Sequence, residues 1–265
     1  MDLCAVVLTL RVPHAEAPDT LPTWWGRAAH ALLLNVIRQH DPALSAALHE
    51  NNQRRPFTAS TLMGRLQDGL QPDAAYQLRF TGLSAPVSEL LRAAVAAGPV
   101  AEGATVELDR RPFEVVSATV AAASDYQTFA AAHLVSAEPP ERRLRLTFTS
   151  PTAFANRGKT QPLPLPELVF GNLLERWNEF APIAFPPEAR QFAAEALALS
   201  RFELRSALAV NRGEGLRVGA VGRVTYTATS YDRYWLAVLH TLAAYAAYAG
   251  VGVSTASGMG QCQVG

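Results

Sequence analysis

Two of the six histidines, His30 and His49, stand with Arg54 and Arg55 in one stretch of the N-terminal half. Imidazole gives and takes protons near neutrality and guanidinium is a permanent cation, so this grouping suits proton transfer at a centre that builds negative charge. Asp41 and Pro42 supply an N-cap and a first-turn proline for a short helix ending near His49, where the helix dipole favours imidazolium and hence an acid. Asn51 and Asn52 are suited to close that helix in the left-handed conformation and leave Arg54 and Arg55 on the following loop. By residue type alone, a surface histidine at a helix end is the simpler reading of His49. His30 falls on the flank of the preceding helix, beside Arg27 and Leu34 and off the stripe through Leu32 and Val36. It is placed either to face His49 across a cleft or to serve as a half-buried structural histidine.

The other histidines carry less. His14 is in a loop, His40 precedes the Asp41 cap and faces solvent, His133 sits in a connector, and His240 reads as a satisfied core histidine inside an apolar helix. No His-x-Glu or Cys-x-x-Cys spacing and no carboxylate cluster occurs, so no metal site and no cofactor is expected. Cys4 and Cys262, near opposite ends, imply reduced thiols and a cytoplasmic setting.

A second feature is the segment from Gly250 to Gly260, Gly-Val-Gly-Val-Ser-Thr-Ala-Ser-Gly-Met-Gly. Dinucleotide fingerprints and P-loops follow a strand and open a helix, so that phosphate meets the helix N-terminus. Here the order is reversed: a helix leads in, a strand follows, and Thr255 occupies the place of a third fingerprint glycine. Nucleotide cofactors are therefore disfavoured. Two readings stand side by side: the backbone N–H groups around Gly252, Ser254, Gly258 and Gly260 approach RNA phosphates, or the glycines only permit a tight helix-to-strand crossing.

Formal net charge is zero, which argues against indiscriminate nucleic-acid binding, since that draws its strength from phosphate neutralisation. Any basic surface must be local. Residues 1 to 137 hold 10 basic and 13 acidic side chains, and 138 to 265 hold 13 and 10. Between Arg142 and Lys159 five cations occur without one acid, and the Arg157-Gly-Lys159 loop is the most suggestive anion contact. Arg205, Arg217 and Arg223 read as strand arginines that either meet RNA or form a solvated sheet face. The run Leu3 to Leu10 lacks a preceding basic region, unlike a signal peptide, and Leu236 to Val253 carries too many polar residues and glycines for a membrane span.

These residues need a scaffold, and the periodicities supply one. Leu3 to Val12 has apolar residues at every even position, as a half-buried strand requires. Helical spacing follows over Trp24 to Gln39, then strands at Phe57 to Leu66 and Tyr76 to Phe80, a helix at Pro86 to Ala97, and strands at Thr105 to Leu108 and Phe113 to Val120. The second half repeats the order. A strand at Arg143 to Phe148 leads to helices at Glu167 to Phe180 and Pro187 to Leu199, strands at Phe202 to Val210 and Leu216 to Thr227, helix Tyr231 to Ala249, and a strand at Gln261 to Val264. Both halves read βαββαβ, an α+β class with tandem ferredoxin-like (RRM-like) domains, antiparallel sheets and helices on one face. The expected boundaries are 1–124 for the first domain, 125–141 for a connector and 142–265 for the second.

Tyr248 to Gln261, preceded by Gly222-Arg-Val-Thr-Tyr226, resembles the C-terminal signature of the repeat-processing endoribonucleases of CRISPR systems, within the repeat-associated mysterious protein superfamily. Ser150-Pro-Thr-Ala-Phe154, Leu163-Pro-Leu-Pro-Glu-Leu-Val-Phe170 with Trp177-Asn178, and Leu48-His-Glu50 followed by Pro56-Phe-Thr58 resemble the family too, in its order. The resemblance implies a metal-independent endoribonuclease that cuts precursor CRISPR RNA within each repeat. In such enzymes the 2′-hydroxyl attacks the adjacent phosphate and leaves a 2′,3′-cyclic phosphate and a 5′-hydroxyl. It carries the catalytic histidine onto His49 and the nearby basic residue onto Arg55. Some relatives have a second histidine where His30 stands; others have a tyrosine where this chain has Leu34, so a two-histidine arrangement with Arg55 is expected. RNA contacts are expected at Arg54, Arg157, Lys159, Arg223, Gly252, Ser254, Gly258 and Gly260. The partner is CRISPR repeat RNA, precursor and mature; a homodimer and association with a CRISPR interference complex are also compatible, and no membrane is involved. Two alternatives are a non-catalytic RNA-binding subunit of the same superfamily and, more remotely, a small-molecule enzyme on the same fold.

Overall fold

A computed structural model of the chain describes residues 1–50, 54–156, 158–211 and 215–265, the side chains of His49, Glu50 and Asn211 excepted. The chain divides into two compact units: Met1–Ala123 with Ala256–Gly258, and Ser124–Thr255 with Met259–Gly265.

In the first unit, β1 (Leu3–Arg11) is followed by α1 (Gly26–His40), α2 (Pro42–Glu50), β2 (Phe57–Ala59), β3 (Tyr76–Gly82), α3 (Ala85–Ala97), β4 (Thr105–Leu108) and β5 (Arg111–Ser124). The sheet order is β2-β3-β1-β5-β4, with β1 and β3 antiparallel in the register Val6↔Phe80 and Leu8↔Leu78. That is the ferredoxin-like plan, extended at one edge by the β4–β5 hairpin. The even residues of β1 are buried, as their alternation requires, and join Leu33, Val36 and Ile37 of α1 and Leu91 and Ala94 of α3 in one core. Asp41 caps α2 as its spacing predicts, its Oδ1 accepting from the Leu44 N–H at 2.9 Å. The strand expected over Phe57 to Leu66 is interrupted. After Ala59 the chain keeps only an isolated pairing of Met63 with Gln77, and Ser60 forms a parallel bridge to Gly258.

The second unit begins with α4 (Tyr126–Leu134), β6 (Arg143–Thr152) and the small hairpin β7 (Phe154–Asn156) and β8 (Lys159–Gln161). Then come α5 (Pro166–Phe180), α6 (Glu188–Ala196), β9 (Leu197–Asn211), β10 (Gly215–Ala228), α7 (Arg233–Ala249) and β11 (Cys262–Val264). Its sheet order, β11-β6-β10-β9, is again ferredoxin-like. The core centres on Trp177, which stacks on Phe185 at 4.8 Å between ring centroids and meets Tyr126 and Tyr245 edge-on at 5.0 and 5.2 Å. Helix expected over Pro187 to Leu199 stops at Ala196, because Leu197 and Ala198 pair with Ala228 and Thr227 and start β9. No helix among the described residues is long and apolar enough to cross a membrane.

Candidate active site

The chemistry-bearing residues of the first unit sit on α1, at the end of α2 and just before β2, and α1 packs against both α2 and β2. His30 is part-buried on α1, its ring 5.7 Å from that of Phe57 at the start of β2. Its Nδ1 lies 2.9 Å from the backbone carbonyl oxygen of Ala256, which belongs to this unit. A carbonyl can only accept, so Nδ1 carries a hydrogen and Nε2 is the nitrogen that gains and loses the second proton. His49 belongs to the last turn of α2, and its side chain lies outside the described residues. Arg55, part-buried, and Arg54, exposed, lead directly into β2. Leu34, one helical turn after His30, packs against the hydrophobic core.

In the glycine-rich segment two of the N–H groups have partners inside the protein. The N–H of Gly252 donates to Asn172 Oδ1 at 2.8 Å and that of Gly260 to the Pro151 carbonyl at 3.0 Å. Those donors are spent inside the second unit, and Gly252, Gly258 and Gly260 are buried. The glycines answer to close backbone approach: at φ +83°, a Cβ on Gly252 would stand 2.2 Å from the Ala153 carbonyl oxygen. Ser254, at φ +54°, has its hydroxyl engaged by Arg217 Nη1 at 2.9 Å. The N–H groups of Gly252 and Gly260 are thus engaged within the protein, and close backbone approach accounts for these two glycines.

Two residues on α5 hold this segment and were not singled out by sequence. Besides Asn172, Arg176 is buried, and its guanidinium donates to the Ala249 carbonyl at the end of α7 and to the Thr255 hydroxyl. A cation there also meets the negative end of the α7 dipole. The signal was an asparagine and an arginine four residues apart, in helical register one turn after Leu168.

Lys159 is exposed on β8 and Arg223 exposed on β10, the latter opposite Glu203 on one side and Thr147 on the other. Arg157 lies outside the described residues. The turn around Gly158 joins a short hairpin rather than an open loop. His133 and His240 line a cleft of about 310 Å³ with Glu138, Glu141, Arg143 and Arg145. His240 is half-buried rather than a core residue, its Nε2 2.8 Å from the Glu141 carbonyl oxygen. Burial and then the nearby His240 hold the His133 imidazole below its ordinary pKa. Burial pushes the Cys262 thiol up to about 12 and also raises Cys4, so neither is a nucleophile at neutral pH. Among the described residues no three His, Cys, Asp or Glu side chains converge as metal ligands.

The family model for the CRISPR-associated endoribonuclease Cas6 matches residues 146–262. The solved structure of a Cas6 product complex superposes with a TM-score of 0.79, at 27% identity and covering 100% of both chains. The chain is thus similar to Cas6 endoribonucleases, in sequence over residues 146–262 and in fold over its whole length. A second Cas6 structure, from Thermus thermophilus, has a TM-score of 0.67 at 26% identity, covering 99% of this chain and 98% of the other. The curated CRISPR-associated endoribonuclease Cas6 of Mycobacterium tuberculosis strain CDC 1551 is 29% identical over 135 residues. That match spans 50% of this chain and 42% of the relative's length. The Cas6 family match covers β7 to β10 and most of β6, the α5 residues Asn172 and Arg176 and the whole glycine-rich segment, whereas the first unit's strands, His30 and Arg55 lie outside it.

Proposed function

We propose that this chain is a Cas6-type endoribonuclease that cleaves CRISPR precursor RNA within its repeats, by attack of a 2′-hydroxyl on the neighbouring phosphate without a metal ion. The observation that carries the reading is His30, whose Nδ1–H is committed to a carbonyl while the ring remains part-exposed on a helix packed against α2, which carries His49, and β2, which Arg55 precedes by two residues. The full-length likeness to a Cas6 product complex supports it. In this mechanism His30 Nε2 takes the 2′-hydroxyl proton, the 2′-oxygen bonds to phosphorus, and the bond to the 5′-oxygen breaks. His49, at a helix C-terminus that favours imidazolium, returns a proton to that oxygen, and Arg55 offsets the charge of the phosphorane. The products are a 2′,3′-cyclic phosphate and a 5′-hydroxyl.

The test is labelled repeat RNA in EDTA, beside the same RNA with a 2′-deoxy sugar just upstream of the cut. Cleavage of the unmodified RNA alone is expected; cutting of the deoxy substrate or dependence on added metal would sink the mechanism. His49→Ala should slow cleavage by about 10² to 10⁴ and leave RNA affinity within a few fold. The second reading is an RNA-binding subunit that does not cut, and Leu34 favours it, because a core-packed leucine cannot transfer a proton. Tight binding with no cleavage would select that reading.

A further inference from the structure

We infer that the tip of the glycine-rich segment, Ala256–Gly258, is a positioning element for His30 that fixes its tautomer and presents Nε2 to the substrate. The inference rests on the endonuclease reading and assigns the tip a part in the chemistry rather than in holding RNA phosphates. The tip and His30 are more than 220 residues apart in sequence yet belong to one compact unit.

Several contacts lock the tip independently of the histidine. Trp24 Nε1 donates to the Ser257 carbonyl at 2.9 Å. Gly26 opens α1 so close to the tip that a Cβ would fall 1.9 Å from the Ser257 carbonyl oxygen. Gly258 adopts φ +95°, and a Cβ there would come within 2.9 Å of Gly26 Cα and 3.1 Å of the Thr61 nitrogen. Ser60 bridges to Gly258, and Ala256 packs against the hydrophobic core. With its neighbours so fixed, the Ala256 carbonyl is a preset acceptor, and the imidazole satisfies it at 2.9 Å with the Phe57 ring beside it. An imidazole held through Nδ1–H to a backbone carbonyl is confined to one orientation and one neutral tautomer, the arrangement a general base at Nε2 requires. A surface histidine would sample both tautomers and several rotamers.

The experiment begins with ¹⁵N NMR of the imidazoles in the full chain, His30 being assigned by loss of its signals in His30→Asn. The Nδ1–H tautomer is expected; a dominant Nε2–H tautomer would overturn the inference. Trp24→Phe keeps the ring and removes the donor to Ser257. It should lower single-turnover cleavage at saturating RNA about 10-fold and displace the acidic limb of the pH–rate profile, with RNA affinity unchanged. An unaltered profile would also overturn the inference. His30→Asn places an amide nitrogen near the position of Nδ1 and offers nothing at Nε2. It should fold with nearly the wild-type Tm and lose about 10² to 10⁴ of the rate. Retained cleavage in that variant would remove His30 Nε2 from the reaction. The two readings fail separately: a wild-type chain that cuts with His30 in the wrong tautomer sinks only the positioning, whereas a chain that never cuts sinks the endonuclease reading and, with it, any catalytic part for the tip.

Discussion

Arg176 illustrates how much one side chain can organise. Its guanidinium reaches the last carbonyl of α7 and the Thr255 hydroxyl at once, from a site 8% exposed. A buried charge is retained at a cost, and removing it leaves two acceptors without their donor. Arg176→Met should therefore destabilise the chain by about 2 to 4 kcal/mol in chemical denaturation. Arg176→Lys should recover little, because a single ammonium on a flexible stem does not reproduce a planar fork. A lysine variant as stable as wild type would mean that charge alone, and not the two-pronged geometry, holds the helix end. The sequence exposes Arg176 only as an arginine in an amphipathic helix; its acceptors lie 73 and 79 positions away, beyond what local spacing encodes.

At the scale of elements, α4 and α7 meet through aromatic and imidazole contacts whose pH behaviour can be worked out. Burial and His240 hold the His133 pKa below the ordinary 6.5, so the unfolded chain binds its proton more readily than the folded chain. The stability contributed is therefore fully present above about pH 6.5 and is lost as pH falls through the lower folded value. Because His133 is about half exposed, the effect is modest: Tm should fall on the order of 2 °C between pH 7 and 5 from this group. His133→Gln should flatten that slope, measured by thermal scans in parallel with His240→Gln. A slope unchanged in both variants would place the acid sensitivity elsewhere.

The same scale shows why some elements were legible in sequence and others were not. β1, α1 and α7 announce themselves because one face is continuously apolar at the right period, and the Asp41-Pro42 pair marks the start of α2. The end of α6 was not legible, since Leu197 and Ala198 suit a helix locally and become strand only through pairing with Ala228 and Thr227. Nor could spacing decide between the two readings of the glycine segment. The partners of its N–H groups, Asn172 and Pro151, are supplied by other elements, so only the fold reveals that those donors are spent. His30 was legible as a candidate by residue type, but its acceptor, the Ala256 carbonyl, was not.

For the molecule as a whole, zero net charge and the proposed RNA processing make a joint demand: binding must come from a few well-placed cations rather than a diffuse field. The exposed Lys159 and Arg223 are the candidates the structure describes, on a hairpin and on a sheet strand of the second unit. If each neutralises one phosphate, each releases roughly one counterion, so the plot of log affinity against log salt should be shallow for a nucleic-acid binder. Its slope should lose about 0.7 to 0.9 in Lys159→Ala and again in Arg223→Ala. The double variant should lose both increments, because the two sites sit on different elements and act on different phosphates. Glu203 lies opposite Arg223 in the strand register and accepts from Arg201 at 3.0 Å, so removing its negative charge in Glu203→Gln should strengthen RNA binding at low salt, and part of the gain should vanish in an Arg223→Ala background. Filter binding across a salt series with uncleavable 2′-deoxy repeat RNA measures all five variants on one scale. A slope that Arg223→Ala leaves unchanged would make this arginine a solvated sheet-face residue and move the RNA contacts off this face of the sheet.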